Sequence, residues 1–178
     1  MSISKTHLYF VSLLCIFTFL LYTNIDLDQF DDAVSYRRYV RNSVIMLTNY
    51  GWRSITNDIG FLVYLTVIEF SVGRFFDTLY LISAVNILTI TTGIYLLANK
   101  NKFILIIVIL SSGIFMQAYL VHLRQGAALS IFILFLLMNN FSKLNFSSQL
   151  KAMIKSSLLA SLFHTSFLFL FLYICLIK

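Results

Sequence analysis

Four carboxylates crowd a short stretch near the start of this 178-residue chain: Asp26, Asp28, Asp31 and Asp32, with Tyr36 four positions further on. Acids grouped beside an apolar segment can take a proton from an attacking hydroxyl or hold a divalent cation near a phosphate. The plain alternative is a solvated acidic turn. Arg124 and Gln125 stand at the junction of two apolar segments. A guanidinium placed there is costly unless it faces water, a partner or a phosphate, whose oxygens it matches two at a time. Gln125 adds a hydrogen-bonding amide, and a loop cation reaching for the surface is the bland reading. His164 lies inside a third apolar segment, where an ionisable group is a functional candidate by default. Its alternative is a histidine satisfied within a packing seam. Glu69, with Arg74 nearby, belongs to a polar stripe of Thr66, Glu69, Gly73 and Asp77 at spacings of three and four. Such a stripe along an otherwise apolar helix marks a structural or a ligand-facing edge.

The elements that must position these residues are apolar. Of all residues, 60% are hydrophobic and 11% charged, and the mean hydropathy is +0.89. A soluble domain carries roughly a quarter charged residues, so this chain lacks the polar surface to cover itself in water. Proline is absent and glycine scarce, so nothing interrupts long helices, and no linker composition marks a second domain. The expected fold is all-α, a polytopic transmembrane bundle of five or six helices forming a single domain over 1–178. The net charge of +6 lies mainly between apolar runs, which fits topology and lipid head groups and makes nucleic acid an unneeded partner. Cys15 and Cys175 read as small buried side chains. No spacing of His, Cys and carboxylates resembles a zinc site, so neither metal nor cofactor is expected.

Spans are expected over 8–22, 78–98, 103–121, 126–141 and 156–177, with a hydrophilic loop over 24–58. The segment 59–76 is undersized for a bilayer and fits an interfacial helix or one lining a wet cavity, with crossing as the alternative. Ser157, Ala160, Ser161, His164 and Thr165 fall on one helical face, at spacings of three and four. Ser83, Asn86, Thr89 and Gly93 form a similar small-residue face that reads as plain packing. With a cytoplasmic N-terminus and 59–76 not crossing, Lys5, Lys100, Lys102, Lys143, Lys151 and Lys155 are all inside and every arginine is outside. An external N-terminus with six crossings satisfies the simple charge count best and puts the acids inside.

The stretch His122-Leu-Arg-Gln-Gly-Ala-Ala-Leu-Ser, followed by Leu159-Ala-Ser-Leu-Phe-His-Thr-Ser, resembles the EpsG/Wzy-type polysaccharide polymerases. Asp32-Ala-Val-Ser-Tyr36 is similar to the family's Asp-x-x-x-Tyr element, and Gly60-Phe61 to its Gly-Phe helix start. The resemblance implies a bundle similar to the C-type glycosyltransferases, in the inner (cytoplasmic) membrane of a bacterium, with the N-terminus in the cytoplasm. It implies polymerisation of undecaprenyl-pyrophosphate-linked oligosaccharide repeat units for O-antigen, capsule or exopolysaccharide. It further implies Asp32, with Asp28 or Asp31 as substitutes, as the base, and Arg124 on the donor pyrophosphate. Tyr36, Gln125, His164 and Glu69 would touch the substrate. Membrane lipids and a chain-length regulator or flippase of the same pathway are the implied partners. Family members run to roughly twice this length, so the chain is expected to be the N-terminal half of a longer architecture. A membrane acyltransferase and a non-catalytic flippase-like accessory subunit stand as alternatives.

Overall fold

The computed structural model describes residues 26, 34–40, 59–73, 75–97, 104 and 122–177. Among these residues the protein is all-helical, with no strand. A helical stretch covers 34–40. Then come α1 (Ile59–Ser71), α2 (Thr78–Leu97), α3 (Leu123–Met138), α4 (Phe146–Ser161) and α5 (Ser166–Ile177), with a 3-10 turn over Phe141–Lys143 between α3 and α4. Asp28, Asp31, Asp32, the segment 8–22, all of 103–121 but Ile104, and most of 24–58 lie outside the described residues.

Local chemistry sets the helix ends. Asp77 opens α2 by accepting the Leu79 N–H on Oδ1 at 2.9 Å, and Asn145 opens α4 by accepting the Ser148 N–H at 2.9 Å. Asn140, with φ of 50°, takes the left-handed conformation that stops the chain after α3. At 20 residues α2 is about 30 Å long, and it is the one described helix both long and apolar enough to cross a membrane. The helices α1, α3 and α5 are apolar but shorter.

The core forms where α2 meets α3. Ser83, Asn86 and Gly93 are buried on one face of α2, against Gly126, Ala127, Ser130 and Ile133 of α3. Thr89 is only half-buried. Asn86 is fully buried and donates from Nδ2 to the Leu123 carbonyl at 3.3 Å, while its Oδ1 accepts from Ser130 Oγ at 3.2 Å. Further along, a Cβ built on Gly93 would lie 2.0 Å from Ile133 Cγ2 and 3.6 Å from Leu137 Cδ1. The register advances in the same direction on both helices, so α2 and α3 run parallel.

The apolar run of 156–177 is not one helix. It divides into the end of α4, a turn over 162–165, and α5, which packs back against α4. Phe167 of α5 meets Phe132 of α3 at 5.8 Å between centroids. Hence His164 and Thr165 do not continue the face of Ser157, Ala160 and Ser161; they sit in the turn. Hydropathy cannot register such a break, because Leu162 and Phe163 are as apolar as the helices on either side. Cys175 is exposed on α5 rather than buried.

Gly93→Ala is expected to force Ile133 out of its rotamer and cost about 1–3 kcal/mol. Thermal unfolding of the detergent-solubilised protein should show a lowered midpoint that Ile133→Ala partly restores.

Candidate functional site

The helical stretch 34–40 carries two adjacent side chains to two different places. Tyr36 is almost fully buried and packs edge-on against Phe61 of α1, with ring centroids 5.5 Å apart. Its hydroxyl accepts from Arg124 Nε at 3.3 Å, and the Arg124 guanidinium carbon lies 5.7 Å from its ring centroid. The ring thus gives the cation both an acceptor and a negative π-face. Arg124 stands in the first turn of α3, at the end of a helix whose dipole favours an anion. Gln125, half-buried beside it, makes no side-chain hydrogen bond to a described residue.

Arg37 points elsewhere. Its Nη1 pairs with Asp77 Oδ2 at 2.6 Å, with both side chains about one-third exposed. At that exposure the ion pair contributes about 0–1 kcal/mol, and its value lies in orientation. Asp77 is thereby engaged on both oxygens, one holding Arg37 and the other capping α2. One turn away, Glu69 Oε2 accepts from the Thr78 hydroxyl. Gly73 leaves the room this requires, since a Cβ there would come within 2.5 Å of Glu69 Oε2. Arg37, Val40, Glu69, Gly73, Phe76, Asp77, Thr78 and Leu79 line an open groove of about 200 Å³.

His164 has a structural task. Its Nδ1 accepts the Ser166 N–H at 3.2 Å and lies 2.7 Å from Ser166 Oγ, which caps the first turn of α5. Accepting a backbone N–H there assigns the ring proton to Nε2. The turn that holds it is anchored on α1: the Gly60 N–H donates to the Leu162 carbonyl at 2.8 Å, and Tyr64 meets Phe163 at 6.2 Å. A Cβ on Gly60 would lie 2.8 Å from that carbonyl, so glycine is required for the approach.

Of the residues singled out from sequence, Tyr36 and Arg124 touch directly. Glu69 and Asp77 share the groove, but not along one helical stripe: α1 ends at Ser71, so Gly73 and Asp77 lie in the connection to α2, and Thr66 turns its hydroxyl to the Leu62 carbonyl of its own helix. The acidic segment contributes only Asp26 to the described residues, and it is exposed. No group of three or more His, Cys, Asp or Glu able to hold a metal occurs among the described residues. Sequence reasoning missed the Arg37–Asp77 pair and the tether of Asn86 to Leu123. Asp77-Thr78 ahead of an apolar run is a helix-start signature that would have flagged the first. No family model, curated protein or solved structure matches the chain.

His164→Ala is expected to lose the cap and destabilise the protein by about 1 kcal/mol, with His164→Asn recovering most of it because its amide oxygen can accept the same N–H. Thermal unfolding of the two variants against the parent checks this.

Proposed function

We propose that this chain is a polytopic membrane protein acting on lipid-pyrophosphate-linked glycans, as a polymerase of surface-polysaccharide repeat units. The observation that carries the reading is the Tyr36–Arg124 contact. It sets Tyr36, four positions after Asp32 in the sequence, against the first turn of α3, which supports a reading in which an acid and a phosphate-binding cation serve one substrate. Exposed apolar side chains on every helix support a lipid surroundings, among them Val67, Phe70, Val85, Leu96, Leu134, Leu158, Phe169 and Leu176. In water such continuous apolar surface is an association hazard; in lipid it is the solvent-facing side.

In this mechanism an acceptor hydroxyl of one lipid-linked unit attacks the anomeric carbon of the glycan carried by another. A new glycosidic C–O bond forms as the bond to the pyrophosphate breaks. The leaving pyrophosphate takes the electron pair, and Arg124 with the N–H groups of the α3 first turn stabilises the charge that develops. Asp32, four positions before Tyr36, takes the proton of the attacking hydroxyl. Tyr36 acts on Arg124 as a positioning residue, fixing the guanidinium by hydrogen bond and ring contact. Gln125 faces the same substrate, while His164 serves it indirectly by shaping the turn against α1. The proposed place is a bacterial inner membrane with the N-terminus in the cytoplasm and the Arg124 end outside. Lys143, Lys151 and Lys155, exposed around the α3–α4 connection, then fall on the cytoplasmic side.

Arg124→Ala is expected to lower polymer formation about 10²–10³-fold, with Arg124→Lys in between because an ammonium keeps charge but not the two-point match. Gel ladders of polymer made from purified lipid-linked repeat units read this; unchanged ladders in both Arg124→Ala and Asp32→Ala would refute the polymerase reading. A cysteine at Ser43 should react with a membrane-impermeant thiol reagent on intact spheroplasts. Protection in a well-expressed protein would reverse the orientation and separate the acids from the proposed outer face.

A further inference from the structure

The groove beside Asp77 is separate from the Arg124 contact and has a chemistry of its own. Among the described residues its charged lining is Arg37, Glu69 and Asp77, one cation against two carboxylates. Arg37 is held by Asp77. Glu69 uses Oε2 for Thr78, while its Oε1 accepts from no described residue. Phe76, a residue 55% exposed, forms a wall of the groove. A volume of about 200 Å³ exceeds several waters at roughly 30 Å³ each and falls below the roughly 300 Å³ where drug-sized pockets begin. One sugar ring is an occupant of that size. A ring offers a hydroxyl that the remaining carboxylate oxygen accepts and an apolar C–H face that lies on an aromatic side chain.

We propose that the groove of Arg37, Glu69, Phe76, Asp77 and Thr78 is a monosaccharide subsite that accepts neutral and amino sugars and rejects acidic ones. That the occupant is a sugar rests on the glycan reading above; the sign of the selection rests on the groove alone. Glu69 is its specificity-determining residue, since its unengaged oxygen accepts from a hydroxyl or ammonium and repels a carboxylate. Asp77 is a positioning residue, committed to Arg37 and to the start of α2. The pyrophosphate of a lipid-linked substrate is excluded from this groove by the same charge and is left to Arg124.

The test is saturation-transfer NMR on the purified protein in detergent. The probes are the methyl glycosides of glucose, galactose, mannose and glucosamine, with methyl glucuronide and methyl galacturonide as the acidic set. At least one neutral or amino glycoside should bind, and the uronides at least about tenfold more weakly. Glu69→Gln, which keeps size and shape, should narrow that gap, and Phe76→Ala, at an exposed position, should weaken all binding. Circular dichroism and the unfolding midpoint establish that both variants are folded. Arg124→Ala should leave the glycoside signals intact. Absence of binding by every probe, uronides binding as well as neutral sugars, or an unchanged gap in folded Glu69→Gln would each overturn the subsite. Because the readout is binding, it stands or falls independently of whether Arg124→Ala stops polymer formation.

Discussion

A buried amide sets the geometry of the polar end. Asn86 is enclosed between α2 and α3, where an unpaired carboxamide would cost several kcal/mol on the order of a lost hydrogen bond per group. It is satisfied on both atoms, by the Leu123 carbonyl and by the Ser130 hydroxyl. A shift of one residue along either helix would rotate a partner by about 100° and leave the amide unpaired. The first turn of α3 is therefore held at one height on α2. Arg124 sits in that turn and Asp77 at the start of α2, so the two charged places are fixed relative to each other by a residue that touches neither. Gly93 and Ile133 extend the same register one layer deeper.

A second constraint ties the far part of the chain to this end. The turn at 162–165 frees the last carbonyls of α4, and the first turn of α1 has N–H groups without helical partners. Gly60 and Leu162 satisfy one of each in a single bond, at a distance only glycine permits. His164 does the equivalent for α5 within its own turn. Helix ends that would be expensive in an apolar surrounding are thus closed against each other, which is how irregular backbone becomes tolerable between apolar helices. The Gly60-Phe61 pair serves both contacts of α1, since Phe61 also carries the ring of Tyr36.

Sequence was informative where one periodicity dominated. Ser83, Asn86 and Gly93 led to a packed face, because three-and-four spacing maps directly onto a helix surface, whereas Glu69, Gly73 and Asp77 line one groove without sharing a helix, since α1 ends at Ser71 and Asp77 opens α2. The all-helical character followed from composition. Three features were illegible for physical reasons. The division of 156–177 occurs inside a run of uniform hydropathy, and only the pairing of backbone groups with α1 reveals it. Arg37 looked like one more loop cation, since its partner lies 40 positions away. The parallel course of α2 and α3 depends on matching Asn86 with Leu123 and Gly93 with Ile133, a register no single helix encodes. Arg124 and Tyr36 were each singled out, but for separate motifs; their contact spans 88 positions.

The arrangement of charge constrains how any elongated anionic substrate could lie. Tyr36 and Arg37 are consecutive on one helical stretch, yet the first supports a cation at a helix N-terminus and the second neutralises part of an acidic groove. A helix turns about 100° per residue, so neighbours in sequence address different sides. Under the proposed reading, a pyrophosphate has one favourable place, against Arg124, and a sugar ring has another, beside Glu69. Reversing the substrate would set phosphate against carboxylate and leave the guanidinium facing hydroxyls, a loss at both ends at once. Direction of transfer, on this view, comes from the opposite charges of Arg124 and the groove carboxylates, contacted by the consecutive residues Tyr36 and Arg37, and the buried amide between α2 and α3 keeps the two places from drifting apart.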